Sequence, residues 1–384
     1  MLKRMDDYSG QFRPSLSYRD LSHELLVKLL ALYSRLYIGL DGFWYLAAQE
    51  RISNEEALAC DIKAWEGICR YEMAKITQKL NIQGGDVVAF MKAMQLTPFF
   101  LSMQHQIDIK DQNHAVLTIT HCPTLAALEK EGLGREAEIC KLFDPKAFQN
   151  YASFFSPDIE VTCLEAPPRK DRDGICCQWE FGLAGPGASP VAISREAMPG
   201  KLDDYSGSFR PALQPADFSY HTLAGLLKLY SRLYIAMDGF WYLTVKERIS
   251  NEEALACDIR AWERASKYEM RKITRLLNIQ GDDLIAVMKA MQLRPWFINM
   301  KYRVETGGED SAVLTVDYCP TLDVLEKEGE GRERDISRVC AKNFQDYASF
   351  FNPDIAVEVI KLPPRESRGE ICCARRFRLP GKGT

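Results

Sequence analysis

The sequence predicts an α+β protein built from two tandem copies of one unit. YSRLYIGLDGFWYL at 33–46 returns as YSRLYIAMDGFWYL at 230–243, and ERISNEEALACDI occurs at both 50–62 and 247–259. The offset of 197 positions (230 minus 33) is far longer than a solenoid repeat, so it indicates a duplicated domain. In each copy the apolar spacing changes from helical to strand-like, which is typical of a helical part followed by an antiparallel α+β module.

Helices dominate the first part of the first copy. Leucine and tyrosine recur at helical spacing from Leu25 to Leu40. Ser53 followed by Glu56 has the pattern of a capping box, which marks the start of another helix. The predicted helices are a long one over 22–50, a second from Ser53 to about Leu80, and a short third from Gly84 to near Pro98.

The second part of the copy predicts a hairpin and short helices. A polar Lys-Asp-Gln-Asn turn separates two alternating segments, as in a β-hairpin. The predicted elements are strands over 104–109 and 115–121, a helix from Pro123 closed by Gly132 and Gly134, a helix from Asp144 to Phe155, and strands over 159–164 and 175–183.

The repeats define the expected domain boundaries. The stretch 184–197 is rich in Gly, Pro and Ala without periodicity, so it is interpreted as a linker. The first repeat is placed at 1–183, with a helical part over about 15–98 and a module over about 99–183. The second is placed at 198–384, with corresponding parts over about 212–295 and 296–380.

Composition excludes several classes of protein. The 384 residues include 49 basic and 53 acidic ones, so the net charge of −4 predicts no partner among nucleic acids or anionic membranes. Lys28, Arg35 and Asp41 interrupt the longest apolar stretch, which excludes a membrane-spanning helix. Residues 1–14 contain no apolar core of a signal peptide. Twelve cysteines, two pairs of them adjacent, favour a reducing, cytoplasmic location.

Cysteines form the first candidate site. The thiol group of the first copy consists of Cys122, Cys140, Cys163, Cys176 and Cys177, of which all but Cys176 are candidate metal ligands. Thiolates that meet across a sheet could bind Zn²⁺, although no CxxC pair exists. The alternatives are a reactive thiol and plain core packing, since free cysteine is a small apolar residue. Trp179 shares a strand face with Cys177, so we expect it to contact a ligand.

Acidic residues form the second candidate site. Asp41 lies inside an apolar helix, where an unpaired carboxylate is costly, so it needs a partner such as Arg35, Lys75 or a tyrosine. Its role would be that of a general base, a ligand anchor or half of a structural ion pair, or else it lies at an exposed position without such a role.

A third candidate set lies on the second helix. Asp61, Trp65 and Glu72 fall on roughly one face. With Asp41 they would form an acidic pocket floored by Trp44 and Trp65, or else only an aromatic stripe in the core.

The copies differ at several candidate positions. Cys140 aligns with Ser337, Cys163 with Val359, Trp179 with Arg375 and His121 with Tyr318. Because the second copy lacks part of the thiol set, the two halves are expected to do different jobs.

Two segments, CPTLAALEKEGLGREAEICKLFDP at 122–145 and GICCQWEF at 174–181, carry a resemblance. They resemble the C-terminal module of the L-2-amino-thiazoline-4-carboxylate hydrolase-like family and a bacterial family labelled only "cytosolic protein". The ending is also similar to the 4-vinyl reductase domain. The resemblance implies a ligand pocket beside the sheet and the opening of a cyclic C–N bond by water. It matches Cys122, Cys140 and Cys177 to spaced cysteines and Asp144 to an acidic residue.

These observations lead to two expectations of function. The first is a cytosolic hydrolase-like enzyme acting on a small heterocyclic or carboxylate substrate, with an active first repeat and a degenerate second one. Cys140 or Cys177 would be nucleophile or ligand, and Asp41 or Asp144 the acid or base. The second is a non-catalytic binding or sensor protein built as an internal pseudo-dimer. The sequence leaves open whether zinc is bound and whether the chain forms a homo-oligomer.

Overall fold

The structure is a computed structural model that describes residues 4–184, 191, 193–194, 200–308, 310–329 and 331–380. Each repeat consists of a helical part followed by a four-stranded antiparallel sheet with helices, which confirms the predicted α+β class. Most of the expected linker, 184–197, lies outside the described residues.

Long helices build the first part of repeat one. They are α1 (His23–Arg51), α2 (Asn54–Leu80), α3 (Val87–Met94) and α4 (Pro98–Leu101). The Ser53 hydroxyl caps α2 by accepting a hydrogen bond from the Glu56 amide at 3.1 Å. Both long helices therefore lie where apolar spacing and capping predicted them.

The sheet module of repeat one contains β1 (Gln104–Asp111), β2 (His114–His121), α5 (Pro123–Glu131), α6 (Arg135–Glu138), a π-helical turn (Ile139–Phe143), α7 (Asp144–Ser153), β3 (Ile159–Glu165) and β4 (Cys177–Leu183). The strand order is β1-β2-β4-β3. Alternation along β4 buries Cys177, Trp179 and Phe181 on one face, so Cys177 and Trp179 share a strand face as predicted.

Repeat two contains α8 (Tyr220–Arg248), α9 (Asn251–Leu277), α10 (Leu284–Gln292), β5 (Lys301–Thr306), β6 (Ser311–Tyr318), α11 (Pro320–Glu328), α12 (Glu333–Phe351), β7 (Ala356–Lys361) and β8 (Cys373–Arg378). Its strand order, β5-β6-β8-β7, repeats that of the first sheet.

One segment differs between the repeats. Phe148 follows Cys140 by eight positions, whereas Phe344 follows Ser337 by seven. The shorter segment forms the single helix α12, and the longer one breaks into α6, the π-helical turn and α7. An extra residue inside a helix is commonly accommodated as a π-bulge, and such bulges are frequent at functional sites.

The long helices of the two repeats share one core. Helix α1 packs against α8 and α9, and α2 packs against α8. The rings of Trp44 and Trp241 stack at this contact, with centroids 6.0 Å apart and planes 13° from parallel. The repeats are therefore related like the subunits of a two-fold dimer.

The N-terminal arm of each repeat packs on the other repeat. The Tyr8 amide donates to the Leu277 carbonyl at 2.8 Å, and the Tyr205 amide donates to the Leu80 carbonyl at 2.7 Å. The Tyr8 hydroxyl also donates to Gln292 at 2.9 Å. This exchange explains why the arm sequence DDYSG recurs with each copy. None of the described helices is long and apolar enough to cross a membrane.

Candidate functional site

A cavity of about 760 Å³ lies in repeat one, between α1, the start of α5, the π-helical turn and the ends of β2 and β4. This volume is in the range of about 300–1,000 Å³ that small-molecule sites occupy. Six of its lining residues bear candidate chemistry: Asp41, Asp61, Asp144, Cys122, Cys140 and Cys177. The fold thus brings together side chains that are more than 100 positions apart in sequence (177 minus 41).

Asp41 reaches the cavity from α1. Its Oδ1 accepts hydrogen bonds from Trp65 Nε1 at 3.0 Å and from Trp241 Nε1 at 2.8 Å. Burial raises the pKa of Asp41 to about 6, although the two indole donors oppose the shift. The expected partner among Arg35, Lys75 and the tyrosines is therefore replaced by two tryptophans, one from the other repeat.

Asp61 reaches the same cavity from α2. Only 5% of this residue is exposed, and its Oδ1 has no hydrogen-bond partner. Burial raises the pKa of Asp61 well above its ordinary value, and the charges of Asp41 and Asp144 raise it further. Three carboxyl groups therefore act on one another across the cavity.

The π-helical turn supplies Cys140, and the first residue of α7, directly after it, is Asp144. Cys140 and Asp144 both line the cavity, and burial raises the pKa of Asp144 to about 7, with the Cys140 thiol opposing the shift. A carboxyl group with a pKa near the physiological pH can both accept and return a proton. This pair has the properties of an acid–base centre.

The cavity thiols are protonated rather than activated. Cys122 caps α5, and its Sγ accepts a hydrogen bond from the Leu125 amide at 3.4 Å. Burial nevertheless raises the pKa of Cys122 to about 12, and it also raises the pKa of Cys140 and of Cys177. Desolvation therefore outweighs the helix terminus, which by itself lowers a thiol pKa.

Cys163 does not join the other three candidate cysteines. It lies on β3, is exposed, and does not line the cavity. Within the described part of the chain, no group of three or more His, Cys, Asp or Glu side chains is arranged to hold a metal ion. The four-cysteine zinc set expected from the sequence is therefore not assembled there.

Four residues expected to contact a ligand lie behind or away from the cavity wall. Trp44 Nε1 donates to Asp238 at 2.8 Å, and Trp179 packs on Phe148 with centroids 4.8 Å apart. Trp65 holds Asp41 without lining the cavity. Glu72 accepts hydrogen bonds from Tyr37 and Tyr151 in the core. These four residues, which the sequence pattern assigned to a ligand pocket, are instead packed in the core.

Aromatic residues that the sequence did not single out line the cavity instead. Phe99 comes from α4, Phe143 from the π-helical turn and Tyr268 from α9 of the other repeat. Tyr268 lies 3.1 Å from the position that a Cβ on Gly39 would occupy, which brings α1 and α9 into close contact. No local signal could identify Tyr268, because its place depends on how the repeats pack.

The corresponding region of repeat two has different chemistry. Cys340 takes the position of Asp144, and Ser337, in place of Cys140, donates to the Glu333 carbonyl of its own helix at 2.7 Å. Trp296 replaces Phe99 and packs on Trp262 with centroids 5.1 Å apart. The acid–base pair of the first cavity thus has no equivalent at these positions.

Comparison with known proteins places the chain in a family. No curated protein and no solved structure matches it. No match supports the resemblance to the hydrolase-like family or to the 4-vinyl reductase domain. One family model, described as a family of unknown function (DUF6125), matches residues 19–183 and again residues 216–379. The chain therefore belongs to this family and carries two copies of its domain in tandem.

Proposed function

We propose that repeat one binds a small organic molecule in its cavity and hydrolyses it. The observation that supports this most directly is the convergence of Asp41, Asp61 and Asp144 on one cavity, with the pKa of Asp144 raised to about 7. Enzymes commonly raise the pKa of a carboxyl group in this way when it serves as acid and base near neutral pH. The substrate would be a small heterocyclic or carboxylate compound, as the sequence resemblance implies.

Asp144 would serve as the base in the first step. It accepts a proton from a water molecule while the water oxygen bonds to the substrate carbon. The carbon–nitrogen bond then breaks, and the departing nitrogen takes the proton back from Asp144 or from Asp61. The Cys140 thiol would orient Asp144 by donating to its carboxylate. Cys140 and Cys177 act here as neutral thiols.

A cytoplasmic location agrees with the state of the cysteines. All twelve are free in the structure. Unpaired cysteines in such number are typical of a reducing compartment.

The thiols favour a second candidate function, that of a binding or sensor protein without catalytic activity. No candidate thiol in the cavity has a lowered pKa, so the site holds no ready thiolate nucleophile. Such a protein would bind the same ligand in the same cavity and release it unchanged.

Incubation of the full chain with a panel of small heterocycles and carboxylic acids tests both candidates. Mass spectrometry detects a product heavier by one water molecule, and melting temperature detects binding. We expect such a product, with turnover lost in Asp144→Asn and reduced in Cys140→Ser. Ser337→Ala alters the matched position of repeat two and should leave turnover unchanged. A compound that raises the melting temperature but gives no product favours the sensor. Equal turnover in Asp144→Asn and the unaltered chain excludes the proposed base.

A further inference from the structure

The interiors of the two repeats differ in charge at three aligned buried or partly buried positions. Repeat one has Thr97, Asp144 and Trp179 at these positions, and repeat two has Arg294, Cys340 and Arg375. Repeat two thus has one carboxyl group fewer and two guanidinium groups more. Arg294 and Arg375 are 2% and 1% exposed, so both positive charges lie inside the fold.

The effect of this difference is visible at the buried glutamates. In repeat two, Arg294 Nε donates to Glu269 at 2.8 Å, which forms a buried ion pair. The corresponding Glu72 of repeat one accepts hydrogen bonds only from Tyr37 and Tyr151, and burial raises its pKa to about 7. Repeat two therefore supplies its buried glutamate with a positive charge, whereas repeat one does not. Asp258 of repeat two, like Asp61, has a buried carboxyl oxygen without a hydrogen-bond partner.

The cavity carboxyl groups of repeat one also lack a positively charged partner. Among the described residues, no Lys, Arg or His nitrogen forms a salt bridge with Asp41, Asp61 or Asp144. Asp61 is 95% buried (100 minus 5), lines the cavity, and has an oxygen without any partner. A buried carboxylate without a partner is costly, so a positive charge must come from a proton or from a ligand.

The basic residues of the cavity wall form no salt bridge with these carboxyl groups. Arg135 lines the cavity and pairs with Glu131 at 2.6 Å, and its central carbon lies 5.3 Å from the centroid of the Tyr45 ring. Its Nη1 is buried without a hydrogen-bond partner. Arg35 and His121 also line the cavity, and both residues are exposed. Screening by water weakens the effect of an exposed charge on groups inside the fold.

We propose that the ligand of the repeat-one cavity is a small organic cation whose protonated nitrogen pairs with Asp61 and Asp144. The aromatic rings of Phe99, Phe143 and Tyr268 line the remaining wall, and such rings favour a flat cationic body. This inference rests on the proposed binding function of the cavity and narrows its ligand to a basic compound such as a protonated heterocycle, which leaves out a purely anionic carboxylate. The same inference assigns no ligand to repeat two, where Cys340 takes the position of Asp144 and where Arg294 and Arg375 place two positive charges inside the fold.

Three compounds of nearly the same shape test the charge preference. Benzamidine is a cation at neutral pH, benzamide is neutral and benzoate is an anion. Isothermal titration of each into the full chain should give one site for benzamidine and binding at least about tenfold weaker for the other two, since a charge-assisted contact contributes about 1.5–3 kcal/mol.

Matched variants locate the site. Asp61→Asn should weaken benzamidine binding at least about tenfold. Asp258→Asn removes the equivalent carboxyl group of repeat two and should leave binding unchanged. Circular dichroism and melting temperature show whether each variant is folded. Asp144→Cys introduces the residue of repeat two and provides a second variant if Asp61→Asn does not fold.

The outcomes separate this inference from the proposed function. Benzamide or benzoate binding as tightly as benzamidine, with a loss in Asp61→Asn, leaves a binding cavity but overturns the cation preference. Benzamidine binding that is lost equally in Asp258→Asn, or the absence of binding by all three compounds, also overturns it. Selective benzamidine binding without turnover of any panel compound supports the cation preference and contradicts hydrolysis.

Discussion

At Asp144, burial opposes the negative charge of the carboxylate, and the Cys140 thiol offsets only part of that effect. The pKa of this group in the folded chain, about 7, lies above its ordinary value of 3.8. The folded state therefore binds this proton more tightly than the unfolded state does. Stability from this group is present below pH 4 and is lost as the pH rises through 7.

The Asp144→Asn variant should not lose this stability as the pH rises through 7. We expect the variant to exceed the unaltered chain in free energy of unfolding by about 1–3 kcal/mol at pH 8, and to show no such gain at pH 4. Urea unfolding at both pH values measures the difference. A gain of the same size at both pH values would mean that the carboxylate charge is not its cause.

Cys163 differs from the other eleven cysteines because it alone is exposed. A thiol reagent added to the native chain should therefore modify one cysteine rapidly and the rest slowly. Cys163→Ser should abolish the rapid phase, whereas Cys140→Ser should leave it in place. A rapid phase that persists in Cys163→Ser would show that the cavity thiols are more accessible than the structure indicates.

Several site residues could be predicted singly but not as a group. Asp41 stands out as a charge in an apolar helix, and Asp61 as a charge on the inner face of the next helix. Their meeting with Asp144 depends on the sheet module folding back over α1 and α2, which involves contacts distant in sequence. Trp44, Trp65 and Trp179 misled the prediction because aromatic residues pack in cores and in ligand sites alike.

At the scale of elements, the long helices and the hairpin could be predicted because apolar periodicity and capping are local signals. The π-helical turn over Ile139–Phe143 could not, since its sequence has no periodicity of its own. Only the alignment of the two copies reveals the extra residue. This turn carries Cys140 and leads directly into Asp144.

Deletion of Leu142 tests the role of that turn. Leu142 is 49% exposed, so its side chain contributes little to the core. We expect the segment to become a continuous helix, which rotates the residues on one side by about 100° relative to those on the other. Helical content should be kept, while benzamidine binding and turnover fall at least about tenfold, since Cys140 and Asp144 no longer face the cavity together.

Leu142→Ala is the matched control for the deletion. It removes the same side chain without changing the helical register, so benzamidine binding and turnover should both be kept. Full binding by the deletion variant would show that the extra residue has no role in the site.

At the scale of the whole molecule, each repeat supplies a hydrogen-bond donor to a buried aspartate of the other. Trp241 donates to Asp41 of repeat one, and Trp44 donates to Asp238 of repeat two, across a stacked pair of rings. The sequence predicted the duplication but not this exchange, because side-chain partners between repeats depend on the packing of α1 against α8.

Trp241→Phe and Trp44→Phe separate the two halves of this exchange. Each variant removes one indole donor and disturbs the stack alike, so both should lower the free energy of unfolding by about 1–3 kcal/mol. Only Trp241→Phe should weaken benzamidine binding, since only Asp41 lines the cavity. Equal weakening by both variants would show that the stack, rather than the hydrogen bond, affects the site.

A protease site inserted between residues 185 and 190 tests whether the repeats hold together without the chain connection. The shared helical core and the exchanged arms predict that the cleaved fragments elute together at the mass of the intact chain, 43.7 kDa. The intact chain without protease provides the reference. Separate elution of the fragments would contradict a shared core.

The most direct test of a functional site confined to repeat one is a crystal structure of the full chain with benzamidine bound. We predict one molecule inside the cavity, with its nitrogen atoms within hydrogen-bond distance of Asp61 or Asp144 and its ring against Phe99 or Phe143. Repeat two should hold none. Density in both repeats, or only on the outer surface, would contradict the division of roles between the two copies.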